Sequence, residues 1–365
     1  MTLTEREVRI INLIEILKED AEEAGENVPE PPEEAKQWTE AEVRAYFASG
    51  GAAVPAPAAA TAAAAAAAVA APPAPPLPAH DAALFGRWFP GLKLSGTTAE
   101  DAPVRVLCFH NAGNSEDMYT SEGTGVRRAP SPLLDWARAR GVEVLAVQLP
   151  GRAARRGEPF VTTARGVAAG AFEAVASRLA AAKTWVAIGH SAGAWCAYEF
   201  LRLWRARGQR PPAAVYLSAM ASPSWPEARR PWRRQRDLAD DDFVDECRAW
   251  GVAELLFSPA LWPVYKPIMR ADFQIFDEYE WERDREGGRA PTVDAPLLAF
   301  YGSRDGRISR EMVEAWREVA GASFRAEQID GPHLWPLEKD AKAVWLARIV
   351  QDLGENAQVQ QALRE

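Results

Sequence analysis

Ser191 stands in Trp185-Val-Ala-Ile-Gly-His-Ser191-Ala-Gly-Ala-Trp195, where an apolar run of β type stops and a helical pattern begins. A G-x-S-x-G sequence between a strand and a helix is a nucleophile elbow, a tight turn that presents the serine oxygen clear of the backbone. The small residues two positions either side, Gly189 and Gly193, let strand and helix come close. The N–H of Ala192, first in the helix, points to where an acyl oxygen would become negative, with the helix dipole behind it. The chemistry on offer is acyl transfer through a serine.

A serine hydroxyl is a poor nucleophile at neutral pH, so a base must take its proton and a carboxylate must orient that base. The chain has four histidines. His80 lies in a spacer, and His190 is inside the elbow and cannot fold back onto its neighbour. His110 ends an early strand and reads as a wall of the site entrance. His333, in Ile329-Asp-Gly-Pro-His-Leu-Trp335 after the last expected strand, is the candidate base, with His110 as its rival. Asp305 follows the apolar run Pro296–Tyr301 in Gly302-Ser-Arg-Asp305-Gly, which would set it at the same strand-end edge as Ser191 and His333. Asp330, three residues before His333, reads as a turn former and is the rival acid.

These groups need a frame. Apolar runs predict strands at Val104–Phe109, Glu143–Leu149, Thr184–Gly189, Ala213–Ser218, Pro296–Tyr301 and Ser323–Ile329, with helical patterns between them. Such alternation predicts an α/β fold, a mostly parallel sheet with helices on both faces. Between Ala221 and Asp294 charges mix with Trp225, Trp232, Trp250, Trp262 and Trp281 and no strand pattern appears, so a helical lid insertion is expected at about 221–294. Within it Phe243, Trp250, Leu255, Leu256, Phe257 and Trp262 exceed what surface helices require, so several of them are expected to line a chamber; Leu256, Phe257 and Trp262 are taken as substrate-binding candidates.

Ahead of this frame, residues 4–23 carry a broad apolar helical face, and Trp38-Thr39-Glu-Ala-Glu42-Val43 is a capping box with a hydrophobic staple. Ala and Pro dominate the stretch that follows, a spacer composition. The expected organisation is therefore a small helical N-terminal arm (1–51), an Ala/Pro-rich linker (52–80), a catalytic domain (81–355) and a C-terminal tail (356–365). Residues 4–48 are expected to serve docking or self-association.

A net charge of −9 argues against a nucleic-acid binder. Cys108, Cys196 and Cys247 are odd in number and widely spaced, which predicts buried reduced thiols rather than a disulfide or metal site. The N-terminus has no basic segment followed by an apolar one, and no strongly apolar run is long enough to span a membrane. The expected location is cytoplasmic, with organellar targeting left open.

Several segments together resemble the type II thioesterases that serve polyketide and nonribosomal peptide synthases, relatives of the medium-chain thioesterase of fatty acid synthesis. Leu149-Pro-Gly-Arg-Ala-Ala-Arg155-Arg-Gly-Glu158-Pro159 is similar to that family's P-G-R-x-x-R-x-x-E-P loop, Gly189-His-Ser-Ala-Gly-Ala to its elbow, and Pro267-Ile-Met-Arg270-Ala-Asp272-Phe273 to its lid motif. Tyr301-Gly-Ser-Arg-Asp305 and Gly331-Pro-His333 complete the match, over about Ala82 to Leu353. The resemblance implies an α/β-hydrolase, with chain order Ser191, Asp305, His333 and an oxyanion hole completed by the N–H of Ala112. It implies an acyl or peptidyl carrier protein as partner, thioester hydrolysis on its phosphopantetheine arm, and a lid, Arg270 included, shaping an acyl chamber. No metal or redox cofactor is implied. Arg152, Arg155, Arg233 and Arg234 are candidates for carrier recognition, since carrier proteins are acidic. One departure stands out: where the family has F-P-H-A-G-G, this chain has Phe109-His110-Asn111-Ala112-Gly113-Asn114. The rival readings are a carboxylesterase acting on small free esters and a non-catalytic module acting through the arm.

Overall fold

A computed structural model describes residues 76–124, 128–281 and 293–365, with scattered positions between Ile11 and Phe47. The chain divides into two compact units, Met1–Pro73 and Ala74–Glu365.

The larger unit is built on six strands: β1 (Val104–Phe109), β2 (Glu143–Ala146), β3 (Thr184–His190), β4 (Ala214–Ser218), β5 (Leu297–Gly302) and β6 (Phe324–Ile329). They form one sheet in the order β2-β1-β3-β4-β5-β6, and every pairing is parallel. β1 to β4 are buried along their whole length, as near-continuous apolar runs covered on both faces should be. The charged exceptions are paired: Arg105 of β1 faces Glu143 of β2 in register and bonds it at 2.7 Å. The edge strand β6 carries Arg325, Glu327 and Gln328 and stays partly exposed, which discourages pairing with another chain.

Eight helices of seven residues or more cover this sheet among the described residues: α1 (Ala82–Trp88), α2 (Pro132–Arg140), α3 (Ala164–Ala181), α4 (Ala192–Ala206), α5 (Asp240–Ala249), α6 (Trp262–Asp277), α7 (Lys339–Glu355) and α8 (Ala357–Arg364). Their ends follow local chemistry. Ser131 caps α2 through the N–H of Leu134, Pro132 occupies the first turn, and Gly141 closes it at φ +63°. Because side chains alternate along a strand, Leu107, Phe109, Ala187 and Leu217 meet α3 and α4 on one face, while Val106, Cys108, Ile188 and Phe300 meet α2, α7 and α8 on the other. Cys108, Cys196 and Cys247 are free and buried.

The predicted strands agree with these to within a residue at all ends but one. β2 stops at Ala146, not Leu149, because its partner β1 runs out: the Val147 N–H still reaches Cys108, but that of Gln148 turns to the Trp88 carbonyl. The expected lid is present as α5, α6 and short 3-10 turns, with Phe243, Trp250, Phe273 and Phe276 joined to the core of the α3/α4 face. The tail expected at 356–365 is instead α8. Asn356 caps it, and Val359 and Ala362 are buried beside α7, so the hydrophobic core extends to the end of the chain.

In the smaller unit, helical Leu13, Ile14 and Leu17 pack against buried Val43, Tyr46 and Phe47. The apolar face of the first helix thus has a partner within its own unit. Trp38, Thr39 and linker residues 52–75 lie outside the described residues. No described helix is long and apolar enough to cross a membrane.

Candidate active site

The elbow forms where β3 ends at His190 and α4 begins at Ala192. Ser191 takes φ +53°, ψ −128°, a conformation costly for a residue with a Cβ and one that persists only where surroundings impose it. The Ser191 N–H is held by the Ser218 carbonyl at 2.8 Å. A side chain at Gly189 would come within 2.6 Å of the Gly193 carbonyl, and one at Gly193 would overlap the carbonyls of Phe109 and His110. The two glycines are therefore required by close backbone approach.

Asp305 sits in the turn after β5 and His333 in the loop after β6. The Ser191 hydroxyl lies 2.8 Å from His333 Nε2, and His333 Nδ1 lies 2.8 Å from Asp305 Oδ2. Asp305 Oδ1 accepts the N–H groups of Arg307 and Ile308, each at 2.9 Å. Burial works against the charge of Asp305, but the His333 charge and hydrogen bond, with the two backbone N–H groups, hold its carboxyl below the usual range. The chain of bonds can carry the serine proton to an imidazole whose other nitrogen is anchored by a carboxylate.

A support missed from the sequence is His190. It places Nε2 3.0 Å from the His333 carbonyl and Nδ1 3.0 Å from Ser218 Oγ. Burial first, and then the charge of His333, pushes its pKa down to about 3, so it stays neutral. An Nε2–H donating to the His333 carbonyl fixes the loop that carries the candidate base. The signal was the histidine of Gly-His-Ser itself.

Ser191 and His333 open on a cavity of about 20 Å³, room for about one water molecule. Asn111 and Ala112 line it on one side, and Trp250, Met269, Phe273 and Phe276 of the lid on the other. The Trp250 ring stands edge-on to His333 with centroids 4.7 Å apart. Ala192, at the start of α4, contributes one of the N–H groups that a helix leaves without an intrahelical partner.

Other expected positions fall elsewhere. Of the lid candidates, Leu256, Phe257 and Trp262 do not line the cavity; Phe257 and Trp262 pack on each other at 5.1 Å and against the core of the α3/α4 face. Arg270 does not line it either: it bonds the carbonyls of Gln235 and Leu238 and the Asp240 carboxylate, bracing α5 on α6. Arg152 and Arg155 are buried, 5% and 6% exposed, and cannot form a docking surface. Arg152 pairs with Asp272, and Arg155 pairs with Glu158 and lies over the Trp88 ring. Arg233 and Arg234 do reach the surface, in ion pairs with Glu246 and Glu227. His110 is buried and outside the cavity lining; burial, then the Arg152 charge, pushes its pKa down to about 4. Asp330 is exposed and bonds Ser303 at 2.6 Å. In the altered loop Gly113 takes φ +76°, whereas Asn114 adopts no positive φ, so glycine is not needed there.

A parallel sheet with a strained serine between β3 and α4, and with an acid and a histidine after β5 and β6, defines an α/β-hydrolase fold. The thioesterase domain family matches residues 104–353, and the chain belongs to that family: it is a serine-based hydrolase acting on thioesters. It is 24% identical to the gramicidin S biosynthesis protein GrsT of Aneurinibacillus migulanus, over 69% of this chain and 89% of that protein. Among solved structures it is similar to RedJ, a thioesterase from the prodiginine pathway of Streptomyces coelicolor, with 27% identity, a TM-score of 0.57, and coverage of 69% of this chain and 86% of that one. BorB, the type II thioesterase of the borrelidin cluster, gives 26% identity and a TM-score of 0.56, covering 70% of this chain and 94% of that one. The likeness is to type II thioesterases of polyketide and nonribosomal peptide synthesis.

Proposed function

We propose that this thioesterase releases acyl groups from the phosphopantetheine arm of acyl or peptidyl carrier proteins, in polyketide, nonribosomal peptide or fatty acid synthesis. Ser191 attacks the thioester carbonyl while His333 takes its proton, and Asp305 holds His333 in the tautomer that can accept it. The N–H groups of Ala112 and Ala192 stabilise the oxyanion. The C–S bond breaks, His333 gives its proton to the departing thiolate, and an acyl-serine remains. Water, deprotonated by His333, then releases the acid and restores the serine. No metal or redox cofactor enters these steps. The observation that carries the reading is the unbroken bond chain from Ser191 through His333 to Asp305, at 2.8 Å each, opening on a lid-covered cavity.

In the same reading, residues 4–48 of the 1–51 arm are a docking or self-association element on the 52–80 linker, which raises the local concentration of the synthase around the catalytic domain. Three free buried cysteines fit a reducing compartment such as the cytoplasm. The experiment compares kcat/KM on an acylated carrier protein with that on a free oxygen ester of the same chain. A preference for the carrier-bound thioester supports the reading, and a preference for the ester makes the chain a carboxylesterase. Truncation before Asp81 should spare small-thioester hydrolysis and lower activity on the intact synthase.

A further inference from the structure

The loop after β1 is held from the lid. The peptide joining Ala112 to Gly113 is fixed at both ends: its carbonyl accepts from Asn111 Nδ2 at 2.9 Å, and its N–H donates to Asp272 Oδ2 of α6 at 2.7 Å. One turn earlier on α6, the Met269 sulfur occupies the space a side chain on Gly113 would need. Asp272 is itself clamped. Arg152, from the loop after β2, places Nη1 and Nη2 2.5 Å from its two oxygens, and Nη1 also donates to the Asn114 carbonyl at 3.1 Å. The pair is buried, 6% and 1% exposed. A buried ion pair is often no more stabilising than well-packed apolar residues of similar volume, so packing alone does not account for a carboxylate here. What a carboxylate does that an apolar side chain cannot is accept the Gly113 N–H.

We propose that Asp272, held by Arg152, is a positioning residue for hydrolysis. By fixing the Ala112–Gly113 peptide from the lid helix, it aims the N–H of Ala112, one peptide earlier, at the acyl oxygen. Oxyanion stabilisation is thereby tied to the seating of α6: a helix that moves away leaves the loop without its anchor. This inference rests on the reading of Ala112 as an oxyanion donor.

The test replaces the ion pair in two ways that leave no charge buried. Asp272→Leu with Arg152→Met removes the acceptor; Asp272→Asn with Arg152→Met keeps an amide oxygen for the Gly113 N–H. On a small acyl thioester the first pair should lower kcat by about tenfold to a hundredfold, below the loss that removing an oxyanion donor itself would cause, with KM changed less than about threefold. The second pair should recover most of that loss at a similar Tm. Undiminished kcat in the first pair, or equal loss in both, overturns the proposal. Amide exchange in the unaltered protein supplies an arm free of variants: a protected Gly113 amide is expected, and free exchange counts against the anchor. Wild type and Ser191→Ala are assayed alongside for acyl-serine. Its absence from wild type would fail the reading of the site, whereas normal acylation with undiminished kcat in the first pair fails this inference alone.

Discussion

Asp305→Asn is the sharpest single change, because the structure fixes how the new amide must lie. Asp305 Oδ1 receives two backbone N–H groups, from Arg307 and Ile308 at 2.9 Å each. The amide oxygen of asparagine must stay there, since an NH₂ in that place would confront two donors. The NH₂ is then turned toward His333 Nδ1, where the carboxylate oxygen now sits at 2.8 Å. A donor facing Nδ1 makes that nitrogen the acceptor and moves the ring proton to Nε2, the atom 2.8 Å from the Ser191 hydroxyl. Such an imidazole cannot take the serine proton. The expected loss in kcat is about 10⁴-fold, or about 5.4 kcal/mol at 1.36 kcal/mol per tenfold. Because the side chains are isosteric, the fold should survive with its circular dichroism unchanged. The assay follows thiol release from a small acyl thioester, with Asp330→Asn as comparison, which should stay within about twofold because Asp330 bonds Ser303 at the surface. A kcat for Asp305→Asn within tenfold of wild type would refute the reasoning.

Trp250→Leu should enlarge the cavity beside Ser191 and raise kcat/KM for longer acyl chains relative to two-carbon ones by about tenfold, the scale of a methylene or two in an apolar pocket; Phe257→Leu, outside the lining, should leave that ratio unchanged. Burial, outweighing the hydrogen bond from the Gln235 N–H, raises the Asp277 carboxyl in α6 from 3.8 to about 7. The folded state therefore binds the proton more tightly, and this contribution to stability, whole below about pH 4, is lost as pH rises through 7, with a ceiling of about 4 kcal/mol. Denaturant titrations at pH 5 and pH 8 should show a decline in wild type that Asp277→Asn lacks. Charge reversal at Arg233 and Arg234, which are about half and a third exposed, should raise KM for an acylated carrier protein and leave a small thioester unaffected.

Much of the site was legible because the chemistry narrows the choice. With four histidines in the chain, a base following the last strand had few competitors. The parallel strands read well because burial on both faces leaves near-continuous apolar runs in β1 to β5, broken only by a paired charge such as Arg105. Legibility failed wherever the answer depends on a distant element. Arg152 and Arg155 look like surface charges in a loop, and the Asp272 that buries Arg152 lies 120 residues on. The chamber wall was legible in part: Trp250, one of the lid aromatics the sequence singles out, does line the cavity, but Met269, Phe273 and Phe276 of α6 join it while equally apolar Phe257 and Trp262 do not, a choice set by how the lid packs and not by composition. The tail misread had a smaller cause, a polar C-terminal sequence in which two residues, Val359 and Ala362, carry the burial.

The most direct test of the account is mass spectrometry of the intact enzyme and of its proteolytic digest after rapid acid quenching of the enzyme mixed with an acylated carrier protein. The account predicts an adduct of the acyl mass on the peptide containing Ser191, formed before free acid accumulates and absent from Ser191→Ala. Free acid released at an undiminished rate by Ser191→Ala, with no adduct in wild type, would contradict it.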